Sequence, residues 1–224
     1  MAAKLISLLL ALLALGQGAL EDYGDQMSLG GNLFLVNRDY PIASSYVPDD
    51  LTKPNVKGAG ENTRMRREAA LALEEMFASA REEGGYELLP ISGYRSYGQQ
   101  SAIHERKAKA VGKKEALRVS APPGCSEHQL GLAMDLGSKG HTGLTASFGN
   151  TPEGQWVQEN CWRFGFIIRY KEEWEEITGY TYEPWHVRYV GADHARRIYE
   201  LDIPFEYYVA QLRQARLEAL GEKE

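Results

Sequence analysis

Between residues 130 and 136 apolar positions alternate with small or polar ones: Leu130, Leu132, Met134 and Leu136 share one face, and Gly131, Ala133 and Asp135 the other. A period of two is that of a β-strand lying half-buried on a core. Its second face is nearly bare around a single carboxylate. The spacing turns helical over residues 64–83, where Met65, Ala69, Leu73, Met76, Phe77 and Ala80 form one stripe. Thr63 is a candidate N-cap for that helix and Gly84-Gly85 a candidate stop. Strands are expected at 86–91, 166–170 and 185–190, where branched and aromatic residues gather, with a short one at 33–36. Helices are expected at 98–110, from a Thr151 cap through Pro152 and Glu153 to 161, and over 192–220 with a break at Pro204. Residues 113–119 read as a charged connector, and 137–154 as a loop. Segregated helices and strands predict an α+β fold, one domain with a central, mostly antiparallel sheet flanked by helices.

Candidate chemistry clusters on that sheet. His128 precedes the alternating stretch, just after the turn signal Pro122-Pro123-Gly124. A second segment reads Glu183-Pro184-Trp185-His186-Val187-Arg188-Tyr189-Val190, where Pro184 argues against a helix interior. His128, Asp135 and His186 are donors of the kind zinc accepts, and three protein ligands leave the fourth position open, as in catalytic sites. Glu183 is a carboxylate near a ligand that need not bind the metal, so it can carry a proton. Arg95, on a strand-end turn, can stabilise an oxyanion or hold a carboxylate in two hydrogen bonds. Taken singly, each of these residues has an ordinary structural or solvated reading. His104 reads as exposed, His194 as structural or exposed, and His141 as bordering the cleft or solvated.

The order Ser-x-His-x-x-Gly-x-Ala-x-Asp (126–135) and then Glu-x-Trp-His (183–186) resembles the VanY-type zinc D-alanyl-D-alanine carboxypeptidases. Ser92-Gly93-Tyr94-Arg95-Ser96 with Gln100, and Phe164-Gly165-Phe166-Ile167 before Arg169-Tyr170, are similar to the same family. So are Leu35-Val36-Asn37 and Tyr46-Val47-Pro48, and the likeness runs from about 32 to about 208. It implies one Zn2+ per chain on the sheet face, held by His128, Asp135 and His186, with Glu183 as catalytic base. It implies contact of Arg95 with the substrate carbonyl, and a groove lined by Gln100, Ser126 and Trp185. Ser126 as a turn cap and Trp185 as core stand beside that reading. The implied reaction is hydrolysis of the C-terminal D-Ala-D-Ala bond of peptidoglycan stem peptides. L,D-carboxypeptidase or endopeptidase action on the same peptides, and a non-catalytic zinc-containing wall-binding domain, are the alternatives. Lys171 departs from the family pattern, which often has proline after Arg169-Tyr170.

Composition adds limits. The chain has 224 residues, 43% of them hydrophobic, enough for one core, and its net charge of −6 argues against a nucleic-acid or anionic-membrane surface. Lys4, an apolar run over 5–15 broken only by Ser7, and the small residues Gly16, Gly18 and Ala19 form the pattern of a secretory signal. The run falls short of the about 20 residues that span a bilayer. The expected division is a signal at 1–19, an extended lead-in at 20–60 and the peptidase domain at 61–224. Export to an extracellular, periplasmic or wall-associated location is expected, as a monomer, with membrane contact only through an uncleaved signal. Cys125 and Cys161 are the only cysteines, and in an exported chain a disulfide between them is expected. The competing reading, Cys125 and His128 as half of a structural zinc site, lacks its other half, since Cys161 has no His or Cys within four residues.

Overall fold

The helical stripe at 64–83 becomes a helix that starts slightly later, as the computed structural model of the chain shows; it describes residues 26–219 and 221. Leu51–Thr52 (β1) and Met65–Arg66 (β2) pair antiparallel and lead into α1, Arg67–Gly84. Thr63 does not cap α1; it closes the 3-10 turn Glu61–Thr63, its hydroxyl accepting from Gly60 N–H. Gly85, at φ 68°, stops α1: its N–H donates to Arg81 O and that of Tyr86 to Ala80 O. The chain continues through β3 (Leu88–Ser92), α2 (Tyr97–Val111), α3 (Lys113–Val119), β4 (Ala133–Ser138) and α4 (Pro152–Asn160). It ends with β5 (Phe166–Ile168), α5 (Glu175–Thr178), β6 (His186–Tyr189), α6 (Ala192–Leu201) and α7 (Phe205–Ala219). Strands β3, β4, β6 and β5 pair in that order, every neighbour antiparallel, as the α+β reading expects.

The alternation of side chains divides the two faces of this sheet. Met134, Leu136, Phe166, Ile168, Val187 and Tyr189 join Leu73, Met76 and Phe77 of α1 and Trp156 and Val157 of α4 in the main core. A second apolar cluster gathers Ile167 and Val190 with Ile198 of α6 and Phe205, Val209 and Leu212 of α7, and with Leu33 and Leu35 of the lead-in. Asp135, His186 and Arg188 belong to the strand positions that alternate with the main-core residues.

Several sequence expectations need correction. Residues 127–130 form a 3-10 turn, and Gly131 at φ 69° reverses the chain, so the strand begins only at Ala133. All six residues of β4 are buried, so the strand is not half-exposed, although Asp135 borders a cleft. Residues 33–36 form no strand; the carbonyls of Asn32 and Phe34 instead accept from the Arg188 guanidinium. The connector at 113–119 is helical. His104 is half-buried, with Nδ1 3.0 Å from Ser120 O, whereas His141 is exposed. Cys125 and Cys161 are free thiols, both buried, and not a disulfide. Their surroundings differ: Cys125 lies in the 122–125 turn close to Arg38, while Cys161 belongs to the main core, where burial pushes its thiol up to about 12. The segment read as a signal lies outside the described residues. Among those described, no helix is long and apolar enough to cross a membrane.

Candidate active site

Strand register assembles most of the site. Asp135 on β4 is opposite Ser92 on β3 and opposite His186 on β6, which sets three strands side by side at the same level. His128 arrives from the 3-10 turn beside them, and its Nδ1 lies 2.7 Å from Gly93 O, the geometry of an N–H donating to a carbonyl. Position 93 must be glycine for that carbonyl to sit there. A Cβ would meet Arg64 O at 2.4 Å and Thr63 C at 2.8 Å. With Nδ1 engaged, His128 turns Nε2 inward, where it is buried without a hydrogen-bond partner, 3.4 Å from Asp135 Oδ1. His186 presents Nδ1 to the same oxygen at 3.2 Å, and one donor atom from each of the three residues falls within 4.8 Å of the others.

These distances fit a zinc ion. Tetrahedral zinc with bonds of about 2.0–2.1 Å spaces its ligand atoms by about 3.3 Å. A buried imidazole nitrogen left unpaired is costly, and a cation among the three donors would remove that cost. Burial opposes charge on Asp135, but His128, His186 and Arg95 around it hold its carboxyl below the usual carboxylate range. Burial likewise opposes an imidazolium at His186, yet its hydrogen bonds to Asp135 and Glu127 carry it up to about 9, so this pocket is built for positive charge.

Around the three donors lies a cleft of about 520 Å³. The residues expected to bind metal, act in catalysis or hold substrate all line it: Arg95, Gln100, Ser126, Glu183 and Trp185 as well as the donor triad, whereas His104, His141 and His194 do not. Glu183 Oε2 is 3.9 Å from His186 Nδ1, and burial pushes the Glu183 carboxyl up to about 7 against the pull of His186. Arg95 Nη1 donates to Ser92 Oγ at 3.2 Å and reaches Asp135 Oδ2 at 3.4 Å, while its Nε is buried and unpaired. Gln100, in the first turns of α2, donates from Nε2 to Ala121 O at 2.7 Å, and its Oε1 is buried without a partner. Ser126 is buried, and half-buried Trp185 packs one side against the main core while lining the cleft.

Sequence reading missed Glu127, which stands between two motif residues. Its side chain is 0% exposed. Oε1 accepts from Arg169 Nε at 2.8 Å and from Arg188 Nη1 at 2.9 Å, and Oε2 lies 3.1 Å from His186 Nε2. Burial would raise its pKa, but the two guanidinium groups hold it far below the usual range. Arg169 forks onto Glu206 at 3.0 and 2.5 Å, and Arg188 Nη2 donates to Asn32 O and Phe34 O at 2.9 Å each. One signal was available. Arg188 alternates with main-core residues inside a strand, and a charge buried there needs an opposite charge elsewhere in the chain.

Comparison with known proteins bears on what such a site does. The family model VanY, D-alanyl-D-alanine carboxypeptidase, matches residues 62–192. The Bacillus subtilis (strain 168) protein YodJ, by name a carboxypeptidase, is 44% identical over 187 residues, covering 81% of this chain and 68% of its own length. A D-alanyl-D-alanine carboxypeptidase of Enterococcus faecium is 36% identical over 192 residues, which is 82% of this chain but only 59% of that protein. Among solved structures, the LdcB LD-carboxypeptidase aligns with a TM-score of 0.74 at 45% identity, over 79% of this chain and 85% of its own. A mutant vancomycin-resistance D,D-pentapeptidase VanY in complex with Zn(II) aligns with a TM-score of 0.68 at 37% identity, over 80% and 98%. VanYB in complex with D-alanine-D-alanine aligns with a TM-score of 0.68 at 37% identity, over 80% and 97%.

Proposed function

The chain belongs to the VanY family of D-alanyl-D-alanine carboxypeptidases, and from that premise we propose that it is a zinc carboxypeptidase hydrolysing the C-terminal D-Ala-D-Ala bond of peptidoglycan stem peptides. The observation that carries this reading is Glu183: a buried carboxyl beside His186, outside the donor triad and pushed up to about 7. A buried carboxyl beside the donor triad but outside it suits a group that must accept and return a proton. Residues His128, Asp135 and His186 would hold the zinc, which when bound polarises a carbonyl and makes water a stronger nucleophile.

The chain's own residues supply the remainder. Glu183 takes the proton of the attacking water as its oxygen adds to the scissile carbonyl carbon. It then gives that proton to the departing amine as the C–N bond breaks. Arg95, which lines the cleft, donates to the carbonyl oxygen as negative charge grows on it. Gln100, Ser126 and Trp185 flank the groove. The signal-like residues 1–19 would bring such an enzyme to the cell-wall side of the membrane, where its substrate lies.

A second reading, removal of the terminal D-alanine from a tetrapeptide by cutting an L,D bond, is favoured by the 45% identity to the LdcB LD-carboxypeptidase, against 37% to the VanY structure. Product masses from pentapeptide and tetrapeptide stems, with and without a chelator, separate the two. Loss of one alanine from the pentapeptide is the expected result. An intact pentapeptide beside a shortened tetrapeptide would select the L,D reading. Cleavage of neither, with zinc bound, would leave a binding domain. Glu183→Gln is expected to retain zinc and to lower kcat by about 10²–10⁴-fold.

A further inference from the structure

We infer that Glu127 is a positioning residue that fixes which nitrogen of His186 faces the metal. The inference rests on the reading of His128, Asp135 and His186 as a zinc site. His186 Nε2 lies 3.1 Å from Glu127 Oε2, and a carboxylate gripped by two guanidinium groups only accepts, so in the zinc-bound chain, where Nδ1 gives its lone pair to the metal, the ring proton sits on Nε2. Nδ1 is the atom 3.2 Å from Asp135 Oδ1. His128 is set the opposite way: Gly93 O takes its Nδ1–H and leaves Nε2 for the centre. One imidazole is thus oriented by a backbone carbonyl and the other by a carboxylate, and outer partners of this kind fix the tautomer and raise the basicity of a ligand.

What holds Glu127 in turn is unusual in extent. Two guanidinium groups grip its other oxygen, so the carboxylate cannot rotate away from the ring. Arg169 is held by the Glu206 carboxylate at the start of α7, and Arg188 by Tyr189 O and by the two lead-in carbonyls. Two carboxylates and two guanidinium groups balance, so the cluster can stay ionised out of water. Buried ion pairs contribute little net stability against a well-packed apolar alternative. Alignment of His186 gives this cluster a use that stability does not.

The test begins with the unaltered full chain, loaded with zinc and labelled with ¹⁵N at histidine. Nitrogen shifts and long-range couplings should report His186 protonated at Nε2 and metal-bound at Nδ1, with His128 the reverse. A proton on Nδ1 of His186, or metal at its Nε2, overturns the inference. In Glu127→Gln the amide must aim either its NH2 group at the arginines or that group at His186, where it selects the wrong tautomer. Zinc affinity, measured by competition with a chromogenic chelator, should then fall about 10–100-fold. A folded variant with unchanged affinity and an unchanged His186 spectrum overturns the proposal, and a variant that fails to fold leaves the wild-type spectrum to decide. A wild-type chain that takes up no zinc overturns the zinc reading and this inference with it. One that binds zinc and cleaves stem peptides with His186 bound through Nε2 overturns this inference alone.

Discussion

Gly93 carries two requirements at once, since its missing side chain lets the 63–64 backbone approach and its carbonyl orients His128. Gly93→Ala places a methyl 2.4 Å from Arg64 O. The backbone must give way, at a cost of about 1–3 kcal/mol as for other overpacked sites. Because the moving carbonyl is the one that orients His128, zinc affinity should fall together with the melting temperature, and melting curves with and without zinc would check both. At this scale the sequence was most informative where residues act on the cleft directly. His128, Asp135, His186, Glu183 and Arg95 stand in recognisable order and do converge. Glu127 was illegible because an acidic residue in a turn ordinarily reads as solvated. Its burial comes from Arg169 and Arg188, 42 and 61 positions away, and no local pattern encodes that pairing.

Elements divide in the same way between local and distant causes. The stripe of α1, the Thr151 cap of α4, where Oγ1 accepts from Gly154 N–H, and the break at Pro204 are all local signals, and each appears close to its expected place. The strand expected at 130 failed because its period-two pattern runs straight through Gly131, whose positive φ turns the chain. Helix α3 was missed because its only buried residue is Ala116, so it has no apolar stripe to read. The separation of the two sheet faces yields a prediction about α1. Leu73 is 0% exposed in the main core, and Leu73→Ala should cost about 2–5 kcal/mol. Asp135 and His186 occupy the alternate strand positions, so zinc affinity of the folded variant should stay within about twofold, since separate sites add nearly independently. Chemical denaturation and chelator competition on one preparation would test the contrast.

For the described residues as a whole, two apolar clusters rather than a covalent cross-link hold the lead-in at 33–35 and the helices α6 and α7 to the sheet. The expected disulfide rested on the count of cysteines and an exported location, and a count says nothing of where two side chains lie. Denatured protein should therefore react with two equivalents of a thiol reagent without prior reduction, and reductant should leave the melting temperature unchanged. A single-step loss of stability on reduction would restore the bridge.

The grip of Arg188 on Asn32 and Phe34 spans 156 and 154 positions of sequence. Chains are made at about 5–20 residues per second, so roughly 10–30 s separate the synthesis of those two carbonyls from that of the guanidinium that holds them. Throughout that interval Leu33 and Leu35 wait for α6 and α7, and Asp135 waits for the strand that carries His186. This part of the lead-in is thus made long before the side chain that fixes it. Any activity begins only after the strand that carries His186 and Arg188 has been made.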